Sequence, residues 1–130
     1  MSNQSPERGE VSAETAAVFS AVFLLVFLVV SVVSHAMVSH VAAVSALLGA
    51  RAGAAADSQE EVFVVAADRV ETIVRELGSH LERAPMVTFT SNEVRVEVTL
   101  RAASPFGLLP GVVSREAVVP REQYLTEPER

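Results

Sequence analysis

The chain contains no cysteine, and this absence removes several classes of function. Disulfide bonds, thiolate metal sites, a cysteine nucleophile and a lipid-modified cysteine of the lipoprotein type are all excluded. Lysine is absent too, so that all ten basic residues are arginine. Together with the abundance of alanine and valine, this bias is typical of a GC-rich coding sequence. The net charge of −6 argues against nucleic acid as a partner.

Sequence patterns that mark catalytic sites are also missing. The chain has no His-x-x-x-His pair, no glycine-rich phosphate loop and no Gly-x-Ser-x-Gly motif. His35 and His40 differ by about 140° around a helix, and so do not share a face that could hold a metal. His80 has no acid or nucleophile at an informative spacing. We therefore expect no enzyme activity, no cofactor, no metal and no small-molecule substrate.

Charge is missing from one long segment, residues 15–50, which has no Asp, Glu, Lys or Arg. In its densest part, residues 16–34, thirteen side chains are Val, Leu or Phe. As a helix this part is roughly 28 Å long, close to the hydrocarbon thickness of a bilayer. Its apolar side chains favour insertion by about 4 to 8 kcal/mol. We expect a membrane-spanning helix over residues 16–34.

Two other interpretations of this apolar segment compete with a membrane span. A cleaved secretory signal has an apolar core of about 7–15 residues, with a small-x-small cleavage site close behind it. Here the core is longer, and the best such site, Ala54–Ala56, lies far beyond it. The other alternative is a buried helix of a soluble domain, but a helix that is apolar on every face needs a larger protein around it.

The orientation of the span depends on the few charges beside it. Arg8 lies on the N-terminal side with three acids, and the first basic residue on the other side is Arg51. The positive-inside rule counts Arg and Lys and gives acids little weight, so Arg8 favours a cytoplasmic N-terminus. We expect a single-pass protein of the cytoplasmic (inner) membrane with its C-terminal domain outside.

The first helix is predicted to continue beyond the membrane to about residue 56, since the segment has no proline and is rich in alanine. Small residues recur every four positions along it, in the row Ala42, Ala46, Ala50 and Ala54 and in the neighbouring pair Gly49 and Gly53. Such rows let helix backbones approach closely, so we expect this half to pack against other long helices. The alternative is a row produced by codon bias alone.

A short polar leader ends at Gly9, and Glu14 stands alone at the entry to the apolar segment. A carboxylate there is costly unless it stays at the interface or finds a partner. The alternative is a solvated acid that is favourable to the helix dipole. A leader that ends in Gly, with Glu five residues later and a hydrophobic helix behind it, resembles the type IV prepilins. The resemblance implies cleavage after Gly9, which makes Glu10 the first mature residue.

Nearly the whole chain resembles one branch of these proteins, the TadE-like minor pseudopilins of tight-adherence (Flp, type IVb) pilus systems. The matching pieces are residues 8–16, the apolar span, the small-residue run 45–56 and the late segment 106–122. Thr15 stands where major Flp pilins usually carry an aromatic residue, and the soluble part is far longer than theirs. Both departures indicate a minor subunit.

The resemblance implies a role in assembling a pilus or a related secretion system. Its partners are then membrane lipid, a prepilin peptidase, other pilins and the assembly platform. The resemblance also implies that the α-amino group freed at Glu10 pairs with Glu14 of a neighbouring subunit, because that pairing would offset the burial of both charges. On this interpretation we expect the subunit to wait in the membrane before it enters a surface pilus. The alternative function is an uncleaved single-pass anchor or scaffold with an outer interaction domain.

Residues 57–120 predict a small α+β domain. A cap at Asp57 or Ser58 opens a second helix that runs to about Arg83. Its apolar residues recur at intervals of three and four and form one stripe: Phe63, Ala66, Ala67, Val70, Ile73, Val74, Leu77 and Leu81. We expect this stripe to be core.

A small antiparallel three-stranded sheet is predicted to follow. Residues 87–90 and 94–101 alternate between apolar and polar side chains on either side of a turn at Ser91-Asn92, and residues 112–119 form the third strand. The predicted fold is thus pilin-like α+β: leader 1–9, long helix 10–56, domain 57–120 and flexible tail 121–130. Because the core is small, we expect the long first helix to support it.

Overall fold

The structure of the chain, a computed structural model, describes residues 7–104 and 107–121, with side chains from residue 12 onward. Two helices precede three strands: α1 Glu7–Ala54, α2 Gln59–Glu76, β1 Met86–Phe89, β2 Glu93–Arg101 and β3 Val112–Pro120. The strands form one antiparallel sheet in the order β1-β2-β3. The predicted sequence of a long first helix, a second helix and a three-stranded antiparallel sheet is confirmed.

α1 is one unbroken helix of 48 residues, which corresponds to a length of about 72 Å. It begins within the predicted leader and ends close to the predicted position. The two halves of α1 have different surroundings. The side chains of residues 12–30 are exposed or half-buried, whereas one side of the helix is fully buried from Ala42 onward.

The core lies between the two helices and the inner face of the sheet. The inward side chains of β2, namely Val94, Val96, Val98 and Leu100, have no exposed surface. α1 packs over β2 and β3, and α2 contacts α1 and β1. Both helices therefore cover the same face of the sheet, and the expected support of the small core by α1 is present.

The predicted end of the second helix at Arg83 is wrong. α2 ends before Gly78, whose backbone is left-handed with φ 67°. The amide of Ser79 donates a hydrogen bond to the Val74 carbonyl at 2.9 Å, which is the long bond of a Schellman motif. Gly78 is the helix-stop signal in the sequence. The apolar periodicity continues past it to Leu81 and therefore wrongly predicts a longer helix. Leu81 instead lies in an extended segment that bridges to Leu100.

The buried stripe of α2 is also shifted by one residue at its start. Val62 is fully buried, whereas Phe63 is 39% exposed. Val62 lies beside Gly53 of α1, at the contact between the two helices, so Val62 and not Phe63 belongs to the buried side of α2. Leu77, another predicted member of the stripe, is 54% exposed because it follows the last turn of α2.

Charged pairs cover the outer, solvent-facing side of the sheet. Arg83 Nη2 lies 2.6 Å from Glu97 Oε1, and the Ser114 hydroxyl donates to the same carboxylate at 2.7 Å. The hydrogen bond from Ser114, together with the charge of Arg83, holds the pKa of Glu97 below its ordinary value. Arg101 donates a 2.7 Å hydrogen bond to Glu82 and likewise lowers the pKa of that carboxyl group. This face is therefore paired within the chain.

Candidate functional site: the faces of the long helix

The contact between α1 and α2 is unusually close because glycines stand in it. A Cβ atom added at Gly49 would lie 2.5 Å from Val70 Cγ2 and 3.2 Å from the Ala66 carbonyl oxygen. One added at Gly53 would lie 3.2 Å from both Ala66 Cβ and Val94 Cγ1. The absence of a side chain at Gly49 thus lets the two helix backbones approach.

The small-residue row consists of the six predicted packing residues Ala42, Ala46, Gly49, Ala50, Gly53 and Ala54. Its alanines at positions 42, 46 and 50 have no exposed surface, and Ala54 is half-buried at the end. The row faces α2 and the sheet of its own domain. A contact with a helix of another chain must therefore use a different side of α1.

That different side is an exposed stripe on the same half of the helix. It consists of Met37, His40, Ala43, Leu47 and Arg51, which recur at intervals of three and four. Met37 is 66% exposed and Leu47 is 38% exposed. We call this set the outer stripe. It continues the apolar surface of the first half of α1, which we call the membrane half because it contains the predicted span over residues 16–34. The outer stripe thus leaves a face of α1 open beside the domain.

The first half of α1 has the surface expected of a membrane span. Only 6% of its most apolar 18-residue window is buried, which is the opposite of a core helix in a soluble protein. Phe19 and Phe23 are each 71% exposed. The hydroxyls of Ser20 and Ser31 donate to carbonyls one turn earlier, at 2.9 and 2.8 Å, so neither needs water. α1 is long and apolar enough to cross a membrane.

The residues predicted to direct processing and assembly lie at the start of α1. Gly9 and Glu10 are within its helical backbone, and their side chains fall outside the described part. The side chain of Glu14 is exposed at the entry to the apolar half. Its pairing with a neighbouring subunit stays a prediction. Among residues 7–104 and 107–121 there is no group of three His, Asp or Glu side chains placed to hold a metal.

Arg121 is a structural residue that the sequence did not reveal. It was assigned to the flexible tail, but its guanidinium donates to the Ala56 carbonyl at 2.7 Å and lies 5.4 Å from the centre of the Phe89 ring. Its backbone amide donates to the Asn92 carbonyl at 2.8 Å. A cation at the end of a helix satisfies carbonyls that have no helical partner. The rest of the predicted tail, residues 122–130, lies outside the described part.

The geometry thus gives α1 three surfaces: an uncovered apolar half, an inner face fixed to its domain, and the outer stripe. Comparisons with family models, with curated proteins and with solved structures found no match to this chain.

Proposed function

We propose that this chain is a TadE-like minor pseudopilin that takes part in assembling a tight-adherence pilus or a related secretion system. It is a single-pass protein of the cytoplasmic membrane, with its N-terminus inside and its α+β domain outside. The observation that carries the proposal is the continuous helix Glu7–Ala54, one half of which is uncovered and apolar while the other is built into a domain. Such a helix is suited to wait in lipid and then to join a bundle of similar helices.

The outer stripe is the face of α1 that is available for this bundle. The small-residue row is already in contact with α2 and β2, so neighbouring subunits contact Met37, Ala43 and Leu47 instead. These side chains extend the apolar surface of the span past the membrane. A subunit that moves out of lipid therefore exchanges lipid contacts for helix contacts along one continuous surface.

Cleavage after Gly9 is tested by the mass of the mature N-terminus. We expect the wild-type protein, purified from cells that contain a prepilin peptidase, to begin at Glu10. The Gly9→Val variant should keep Met1 or Ser2 as its first residue, because a branched side chain replaces the small residue before the cleaved bond. A wild-type protein with its leader intact in those cells would refute processing.

Glu14→Gln tests the assembly role of the carboxylate. The variant removes one charge at the entry to the span, so insertion should be unchanged and co-purification with the pilus components should be lost. Glu60→Gln, which removes an exposed charge at the start of α2, is the matched control and should co-purify like the wild type. Equal recovery of components with Glu14→Gln and Glu60→Gln would contradict the proposed ion pair.

An uncleaved membrane anchor with an outer interaction domain is the second candidate. The observation that favours it is that α1 begins at Glu7, so the bond between Gly9 and Glu10 lies in regular helix. Proteolysis concentrates in loops and loosely held termini, not in helices. An intact leader combined with normal membrane insertion would favour this second function over the first.

A further inference from the structure

The connection between β2 and β3 combines an absence of charge with an exposed apolar side chain. Residues 102–114 contain no charged residue and form the longest such stretch after α1. We call the described part of this connection, residues 102–104 and 107–111, the end loop. Within it Leu108 is 63% exposed and Leu109 is half-buried. No charged side chain would have to be desolvated on transfer of this loop into an apolar environment.

The contacts between α1 and β2 place the end loop along the axis of the helix. Gly53 faces Val94 and Gly49 faces Val96, so β2 runs antiparallel to α1, toward its membrane half. From Val96 to Leu100 the strand advances about 13 Å, which corresponds to roughly nine helical residues. Leu100 is therefore level with about residue 40 of α1. The end loop continues in the same direction and reaches the level at which the predicted span ends.

Hydrogen bonds hold the end loop in a defined shape. The Ala102 amide donates to the Gly111 carbonyl at 2.9 Å and closes the base of the loop. The Gly107 amide donates to the Ser104 carbonyl at 3.2 Å, and the Ser104 hydroxyl donates to the Leu109 carbonyl. Ala102 at the base is buried in the core. Leu108 is therefore held outside the core, in a loop at the membrane-side end of the domain.

We propose that the end loop rests in the bilayer, at the boundary between headgroups and acyl chains, with Leu108 inserted. This inference rests on membrane insertion of α1, which is one part of the proposed function, and is independent of cleavage and of pilus assembly. Once α1 is inserted, the loop is held at the lipid surface by a rigid domain, so its local concentration there is high. The chain then has two lipid contacts, which together fix the tilt of the domain.

The natural absence of cysteine makes the test direct. Three single-cysteine variants of the full chain, Leu108→Cys, Val64→Cys and Leu25→Cys, are labelled with an environment-sensitive fluorophore. They are reconstituted in vesicles of phosphatidylcholine and phosphatidylglycerol that carry a nitroxide quencher on the headgroup or in the acyl chain. Val64 is the matched control: it is 69% exposed. It lies beside Val62, which faces Gly53, at the end of the domain far from the membrane.

We expect the label at Leu108 to be quenched several-fold more strongly by the headgroup nitroxide than the label at Val64. The label at Leu25 should be quenched mainly by the acyl-chain nitroxide. Val112→Cys, 44% exposed at the start of β3, is a second reporter that should follow Leu108. Circular dichroism checks that every labelled variant keeps the wild-type fold.

Each other outcome contradicts the inference at a different step. If the label at Leu25 is quenched but the label at Leu108 is quenched no more than the label at Val64, α1 is inserted and the end loop is not. A blue-shifted but unquenched label at Leu108 means that protein, for example a second copy, covers the loop. No quenching at Leu25 means that α1 itself is not in the bilayer, which also refutes the membrane part of the proposed function.

Discussion

Gly49 and Gly53 stand one turn apart in the same helix and both face Ala66 of α2, yet a methyl group would have different consequences at each. At Gly49 it would lie 2.5 Å from Val70 Cγ2, and it would also meet a backbone carbonyl oxygen, which cannot rotate away. At Gly53 the closest atoms are side-chain carbons at 3.2 Å. The spacing of α1 and α2 is therefore set mainly by the first of these two glycines.

Alanine substitutions at Gly49 and Gly53 separate the contribution of helix propensity to stability from that of packing. Either substitution gains up to about 1 kcal/mol of helix propensity. Overpacking at Gly49 costs about 1 to 3 kcal/mol, so Gly49→Ala should destabilise the domain, while Gly53→Ala should cost less or be neutral. Hydrogen exchange of the β2 amides in the detergent-solubilised full chain measures both effects. If the β2 amides exchange as slowly in the Gly49→Ala variant as in the Gly53→Ala variant, the proposed role of Gly49 is wrong.

Single residues also show where prediction from sequence stops. The small-residue row is visible as a repeat along the chain, but its partner is not, because the same repeat suits a helix of another subunit or a helix and sheet of the same chain. That Val62 rather than Phe63 lies in the core follows from how α2 sits against Gly53 of α1, which cannot be read from the apolar repeat of α2. Arg121 caps carbonyls that lie more than sixty residues earlier in the chain.

The elements differ in how completely the sequence specifies them. β2 lies where alternation predicts it, because the period of two is a local property that the strand carries by itself. The N-cap of α2 is confirmed at Ser58, whose hydroxyl accepts a hydrogen bond from the Glu61 amide at 3.3 Å. The end of α2 was missed because two local signals conflict, and the left-handed Gly78 prevails over the apolar period.

The sheet should lose stability in acid because of its outer carboxylates. The pKa of Glu97 is lowered from 4.5 in the folded chain, so its contribution is present above that value and is lost as pH falls through the lowered pKa. We expect the thermal midpoint to fall on acidification in that range, and to fall less in Glu97→Gln. Glu71→Gln, an exposed acid on α2, should keep the wild-type pH dependence. Identical pH profiles for both variants would contradict the role of Glu97.

For the molecule as a whole, the two halves of α1 make separate contributions. The membrane half has little buried surface, and the side chains that pack on the core begin at about Val38. That α1 contains a stretch long and apolar enough to span a membrane was predictable, since the length of an uncharged run can be read directly from the sequence. Which side of the second half is covered was not, because it depends on contacts between distant parts of the chain.

Two truncations test this separation. Removal of residues 1–34 should give a soluble chain that unfolds cooperatively, because it keeps every core contact of α1. Removal of residues 1–56 should abolish folding, because it exposes the inner face of β2 to water. Size-exclusion chromatography and thermal circular dichroism compare the two. A first truncation without a cooperative transition would show that the membrane half also stabilises the domain.

The attachment of the domain along the side of α1 has a mechanical consequence. Domain and helix overlap from Val38 to Ala54, which is about 24 Å of helix axis. Domain and helix are packed side by side along this overlap, with no hinge between them. A pull on the domain along the axis loads this overlap in shear and spreads the force over the whole row of interlocked small residues. In the proposed membrane orientation, a force applied outside the membrane would draw the helix out of lipid as one rigid piece.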